Sequence, residues 1–311
     1  MNRREFLQWQ ARAVCYLTAG APLLSASGLF LPHRALADGL PDVAVASGTP
    51  AAAARAAVEA IGGMSRFVKP GQSVVIKPNM SFAQGVDSAT TTHPEVVREV
   101  LIMVKEAGAG KVRVLDHSLQ NAALSLEQSG ILAACNEVEE GICHHLMDAG
   151  FYRQAAVDGA LEMRENAFMR DVLDADVLIA VPVAKSHGGA GVSLSLKGQM
   201  GLILDRRIMH SRYDLATSIV DLNLKVRPNL AIIDATRVLT TGGPGGPGKV
   251  ITPGEVIASA DPVAADATAV ASYEWYGRRM QPRQVPHILL AHERGLGRMD
   301  IENLRIQRLE V

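Results

Sequence analysis

The sequence predicts an α/β fold with a mostly parallel central sheet, helices on both faces, and a ligand site at the carboxyl ends of the strands. Two observations predict it. Short apolar runs alternate with helical patterns from Val43 to the C-terminus, as in chains that wind a parallel sheet. The central runs, Asp176–Val181 and Asn229–Asp234, are apolar almost without interruption, which marks strands covered on both faces.

Taken in order, Val43–Ala46 reads as a short strand and Pro50–Ile61 as a helix. Ser73–Lys77 is a strand that Pro78 stops. Pro94–Ala107 is a helix with proline in its first turn and Gly108 as its stop. Lys111–Leu115 alternates as a strand does, and Leu124–Cys135 is helical. Residues 138–171 carry a weak pattern, with short β pieces near Leu161–Met163 and Phe168. Asp176–Val181 is the strongest buried strand, and Ser193–Leu204 reads as a helix. Asp214–Leu224 is a helix, Asn229–Asp234 a strand, and Glu255–Ala258 a short strand. Pro262–Tyr276 and Val285–Arg294 are helices, and Leu304–Val311 is a closing strand. Residues 38–311 are expected to form one domain, with two sub-lobes divided near 138–175 as the alternative.

The N-terminus sets an expectation about compartment. Arg3-Arg4 precedes a mostly apolar run from Ala13 to Leu31, and Ala35-Leu36-Ala37 follows. This is the pattern of a twin-arginine signal peptide cleaved after Ala37, which places the mature protein in the periplasm. The alternative is a membrane anchor, since about 19 residues nearly span a bilayer. The twin-arginine machinery carries folded passengers, so a cofactor acquired before export, or an exported partner protein, fits the signal. Removing the leader takes out four arginines and one glutamate and moves the formal charge from −1 to −4. A mildly acidic chain with 4% aromatic residues lacks the basic footprint of a nucleic-acid binder. No second long apolar run exists, so no membrane contact is expected after cleavage.

Cys135 and Cys143 remain after cleavage. On one continuous helix their Cα atoms would stand about 12 Å apart, beyond the roughly 7 Å a disulfide spans. A break at Gly141 would permit closure, so a disulfide and two free thiols both stay open.

The densest chemistry lies from Lys185 to His210. It holds Lys185, His187, Gly188-Gly189-Ala190-Gly191, Lys197-Gly198, Arg206-Arg207 and His210. Glycine clears space for close backbone approach, while lysine is costly to bury unless it meets a counter-charge. The segment therefore reads as one wall of a site for a small anionic or metal-containing ligand, against an exposed polar loop as the plain alternative. Lys185, His187 and His210 are the expected catalytic groups. His187 and His210 are also the candidate metal ligands, or else transfer protons. The N-terminus of the helix beginning near Ser193 is expected to add backbone donors. Thr92 and His93 either cap the helix at Pro94 or help to bind an anion.

Two patterns are set aside. Gly243-x4-Gly248-Lys249 resembles a phosphate loop, but Val250 follows the lysine and Pro244 and Pro247 remove needed N–H donors. The run reads better as a rigid loop or lid. Cys143-His144-His145 lacks a C-x2-C partner, and adjacent side chains diverge, so it makes a poor metal centre.

Together these blocks resemble the domain of unknown function 362 family. The matched elements are Lys77-Pro78-Asn79, Thr92-His93-Pro94, Lys185 with His187, Leu196-Lys197-Gly198 with Gly201, and His210. Asp234 with Gly242-Gly243-Pro244, and Asp261-Pro262-Val263-Ala264, complete the series. The resemblance runs from about Val74 to Ala271. Because ligands bind at the carboxyl ends of the strands in such a sheet, Lys77, Asn79, Thr92, His93, Lys197, Gly198, Asp234 and Gly243 are expected around a bound ligand or cofactor, with Asp234 orienting a lysine or histidine. Many members carry a cysteine-rich ferredoxin-like segment. This chain has no cysteine after Cys143, so no iron–sulfur cluster is expected. A distant similarity of fold to nickel-cofactor lactate racemases is an analogy without matched motifs. Cofactor, metal and reaction stay unnamed. The readings are a ligand-converting enzyme, a non-catalytic cofactor carrier or maturation factor, and a structural partner.

Overall fold

The structure, a computed structural model, describes residues 39–311; the expected leader lies outside them. The elements run β1 (Val43–Ser47), α1 (Pro50–Ala60), β2 (Ser73–Pro78), α2 (Pro94–Glu106), β3 (Lys111–Asp116), α3 (Ala122–Gln128), α4 (Ile131–Asn136) and β4 (Cys143–His145). A hairpin of β5 (Tyr152–Ala156) and β6 (Glu165–Met169) follows, then α5 (Arg170–Leu173), β7 (Val177–Val181), β8 (Val183–His187) and β9 (Gly191–Ser193). Next come α6 (Ser195–Gly198), α7 (Arg207–Ser211), α8 (Leu215–Lys225), β10 (Leu230–Leu239), β11 (Val250–Ile251) and β12 (Glu255–Ser259). The chain closes with α9 (Pro262–Ser272), β13 (Glu274–Trp275), β14 (Arg278–Arg279), α10 (Pro286–Glu293) and β15 (Ile306–Glu310).

The central sheet has the order β15-β1-β12-β10-β7-β2-β3-β4. Every neighbouring pair is parallel except the two made by β12. The predicted α/β class is therefore observed. Side-chain alternation along each strand sends residues to two faces. Val74 and Ile76 of β2 join one core with α1, α2 and α4, while Val75 joins the other with α8, α9 and α10. Helix α2 shows how one face is made. Val96, Val97, Val100, Leu101 and Val104 recur at helical spacing and are all buried, each contributing on the order of 1.5–3 kcal/mol by leaving water.

The sheet reverses its winding between β2 and β7. From β2 the order runs outward to β3 and β4, and on the other side to β7 and β10. Such a switch point opens a crevice at the carboxyl ends of the strands, where ligands bind in open α/β sheets.

Several boundaries differ from the sequence reading. The expected helix Leu124–Cys135 is two helices, broken at Ser129-Gly130, where Gly130 takes φ +72°. Leu161–Met163 is not a strand but lies in the connection of the β5–β6 hairpin, held by backbone N–H groups donating to Asp221. The chain does not leave the sheet after Val181. It bends at Pro182 and continues as β8, so Lys185 and His187 lie on a buried strand paired with β10 and β9, not on a loop. The expected helix Ser193–Leu204 is only α6 followed by a 3-10 turn, Gln199–Leu202. Cys135 and Cys143 are both buried free thiols, and Cys143 Sγ lies 3.8 Å from Met80 Sδ. No helix among the described residues is long and apolar enough to cross a membrane.

Candidate functional site

A cavity of about 260 Å³ opens at the switch point. Strand β2 delivers Lys77 and Asn79 to it, β3 delivers Asp116, β8 delivers Lys185 and His187, and α6 delivers Lys197 and Gly198. The segment after α6 adds Met200, Gly201, Arg206, Arg207 and His210, and Phe82 and Pro244 add apolar wall.

Lys77 and Asp116 form the floor. Lys77 Nζ lies 3.0 Å from Asp116 Oδ1 and donates to the Pro78 carbonyl at 2.6 Å. The carboxylate also accepts from the N–H of Met80, the Ser81 hydroxyl and the N–H of His117. Burial pushes the Asp116 carboxyl upward, but Lys77, His145, the Met80 N–H and Arg206 together hold it below its ordinary value. Gly201 packs directly on this pair. A Cβ there would stand 2.0 Å from Asp116 Oδ1 and 2.7 Å from Lys77 Cε, so only glycine fits.

Lys185 and Lys197 are the unusual groups. Lys77, Lys185 and Lys197 are 2%, 3% and 8% exposed, yet of these three only Lys77 has a carboxylate partner among the described residues. Lys185 Nζ donates to the Thr90 carbonyl at 2.5 Å and lies 4.7 Å from the centre of the Phe82 ring. Lys197 Nζ meets the thioether of Met200 at 3.4 Å. Burial first, and neighbouring cations second, depress both amines to about 7. Arg206 donates to the carbonyls of His117 and Ser118 at 2.9 and 2.7 Å. Five cationic side chains thus line the cavity against one carboxylate.

His187 and His210 stack with ring centres 5.8 Å apart and planes 11° from parallel. His187 Nδ1 accepts the N–H groups of Gly189 and Ala190, both at 3.1 Å. The hydrogen of the neutral ring is then on Nε2. Burial, then Lys197 and His210, push His187 down to about 3, so it is neutral at ordinary pH. This geometry does not suit the expected metal role. The rings stack instead of converging, and Nε2 of His187 carries a proton where a metal would need a lone pair. No group of three or more His, Cys, Asp or Glu able to hold a metal occurs among the described residues.

Of the residues expected from sequence, Lys77, Asn79, Lys185, His187, Lys197, Gly198 and His210 line one cavity; Thr92, His93, Asp234 and Gly243 do not. Those four tie the strand ends together. Thr92 Oγ1 bridges the Asn79 N–H and the Val181 carbonyl at 2.8 and 2.7 Å. His93 caps α2 through Nδ1, and its backbone N–H donates to Asp234 at 2.7 Å. Asp234 also takes Arg237 and Thr236, so it orients no lysine or histidine side chain. Gly243 sits against Ser186, where a Cβ would stand 1.9 Å from the Ser186 carbonyl oxygen. Its neighbour Pro244 lines the cavity. At the N-terminus of α6 the Ser195 and Leu196 N–H groups donate to buried Asp266 at 2.8 and 3.0 Å, so these two donors are taken from the cavity.

The sequence assigns Asp116 no site role. The β2–β3 pairing alone brings it to Lys77. Phe82 carried no sequence signal. His287 was also missed; it is fully buried, and its Nε2 has no hydrogen-bond partner.

The thylakoid-associated protein sll1697 of Synechocystis sp. is 29% identical over 230 residues, covering 71% of this chain and 68% of the relative. The lactate racemase apoprotein of Thermoanaerobacterium thermosaccharolyticum is similar over 76% of this chain, at 14% identity and a TM-score of 0.46. A Thermotoga maritima protein is similar over 72%, at 12% identity and a TM-score of 0.40. The chain spans 58% and 59% of those two proteins. The sequence model for the family described as Domain of unknown function (DUF362) matches residues 74–271, and this chain belongs to that family.

Proposed function

We propose that the protein binds a small anion, bearing a carboxylate or phosphate group, in the cavity at the switch point of the sheet. One observation carries the reading: two buried lysines, Lys185 and Lys197, have no carboxylate partner among the described residues. Burying an ammonium group without a counter-charge is costly, and a bound anion supplies that charge. Arg206 and Arg207 add further positive charge to the lining. A metal would enter this site as part of a ligand that brings its own donors, since the histidine pair does not complete a metal site.

Calorimetric titration with sulfate, phosphate and short carboxylates tests the reading. Wild-type protein should bind at least one of them at a single site, and Lys185→Met with Lys197→Met should abolish binding while the chain stays folded. Unchanged binding in that double variant would remove the cavity from consideration. Whether a bound ligand is converted or carried is decided by incubating it with the protein and comparing its mass before and after.

Export through the twin-arginine machinery is a separate proposal, resting on Arg3-Arg4 and the Ala35-Leu36-Ala37 end of the leader. N-terminal sequencing of the protein recovered from periplasm, with Asp38 as the expected first residue, checks it. A companion protein travelling with it would co-purify in the same preparation.

A further inference from the structure

The three buried lysines of the cavity differ in what surrounds their nitrogens. Lys77 is held as an ammonium by Asp116 at 3.0 Å. Lys185 donates to the Thr90 carbonyl and lies over the Phe82 ring; both contacts favour the charged form. Lys197 has neither. Its nitrogen meets the sulfur of Met200, a weak acceptor, and the charged groups acting on it are the cations Arg206 and Lys77. An amine desolvated in a pocket beside other cations loses its proton readily and exposes a nucleophilic lone pair. The rest of the cavity supplies what a carbonyl-bearing anion needs. Lys185 and Arg206 offer charge to a carboxylate. His187, whose Nε2 carries its hydrogen, and His210 are the proton-bearing groups nearby.

We propose that Lys197 is a nucleophilic amine that forms an imine with the carbonyl of a small oxo-carboxylate seated in the cavity. The inference rests on the anion-binding reading above and names its substrate class. The Nζ lone pair adds to the carbonyl carbon, and an Nζ proton passes to the carbonyl oxygen. The resulting hydroxyl departs as water with the second Nζ proton as the C=N bond forms. Amine and carbonyl become imine and water, and no oxidant or reductant enters.

Glyoxylate is the probe, because it is the smallest oxo-carboxylate and a cavity of about 260 Å³ does not exclude it by size. The full chain is treated with glyoxylate and sodium borohydride, which reduces an imine to a stable amine, and the adduct is located by peptide mass mapping. Lys69, Lys105, Lys111, Lys225 and Lys249 are exposed and serve as internal controls. Label on Lys197 should exceed that on any control by roughly tenfold or more, and sulfate should suppress it. Lys225→Arg, at an exposed lysine outside the cavity, should keep the label on Lys197, whereas Lys197→Arg should lose it while still binding sulfate through the retained charge. Label no greater on Lys197 than on the controls, with sulfate binding intact, overturns the imine and leaves the anion pocket standing. Absence of both label and sulfate binding overturns the two together. Should Lys197→Arg fail to fold, the wild-type map decides alone.

Discussion

Lys77 and Asp116 meet at 3.0 Å on adjacent parallel strands, both almost fully buried, with Gly201 laid across the pair. The carboxylate also takes three further hydrogen bonds. This ion pair neutralises one buried lysine of three, and the cavity is left with excess positive charge.

Asp116→Asn should therefore be strongly destabilising. Breaking one side of a buried pair strands the other charge, at a cost of about 3–5 kcal/mol. Urea unfolding should show that loss, and a saturating anion should restore more stability to the variant than to wild type. An unchanged urea midpoint would mean that the pair is not a structural element of the floor.

Anion binding should weaken as pH rises. Lys185 and Lys197 lose their protons near pH 7, and a neutral amine attracts no anion. Sulfate is the suitable probe, since its own charge stays constant across the range. Calorimetry between pH 6 and 8 should show a steady fall in affinity, and a flat profile would contradict it.

Stability without ligand should move the other way. The folded pKa values of these lysines lie below the ordinary value of about 10.4, so above pH 7 the folded state binds fewer protons than the unfolded state. Stability then rises with pH. The window is best read from about pH 7 to 8.5, below the range where buried Cys143 and Tyr152 act in the opposite sense. Below pH 7 buried Asp266, raised to about 7 by burial, also gives the opposite slope. Chemical unfolding at three pH values in sulfate-free buffer measures the effect.

Gly243→Ala should disturb the roof of the cavity. The added methyl would stand 1.9 Å from the Ser186 carbonyl oxygen, so the loop must move, at a cost of about 1–3 kcal/mol. Reduced sulfate affinity with faster proteolysis within residues 242–248 is the expected pair of results.

Cys135 and Cys143 should resist alkylation in the native protein, because both are buried, and react fully in urea. Rapid native labelling would show that α4 opens locally.

The chain by itself determined the α/β class, most strand and helix positions, and the segments that form the cavity. Apolar periodicity is local, and so are the glycine and lysine patterns that marked residues 185–210. Tertiary structure alone decided which polar groups face the cavity. Thr92, His93 and Asp234 looked like site residues, but the register of β2, β7 and β10 uses them to join strand ends. Asp116 became the counter-ion of Lys77 only because β3 lies beside β2. The first N–H groups of α6 were taken up by Asp266, 71 residues after Ser195 in sequence. Such roles depend on contacts between residues distant in the chain. Whether a buried polar group serves folding or ligand depends on whether another segment has already met its hydrogen bonds and charge.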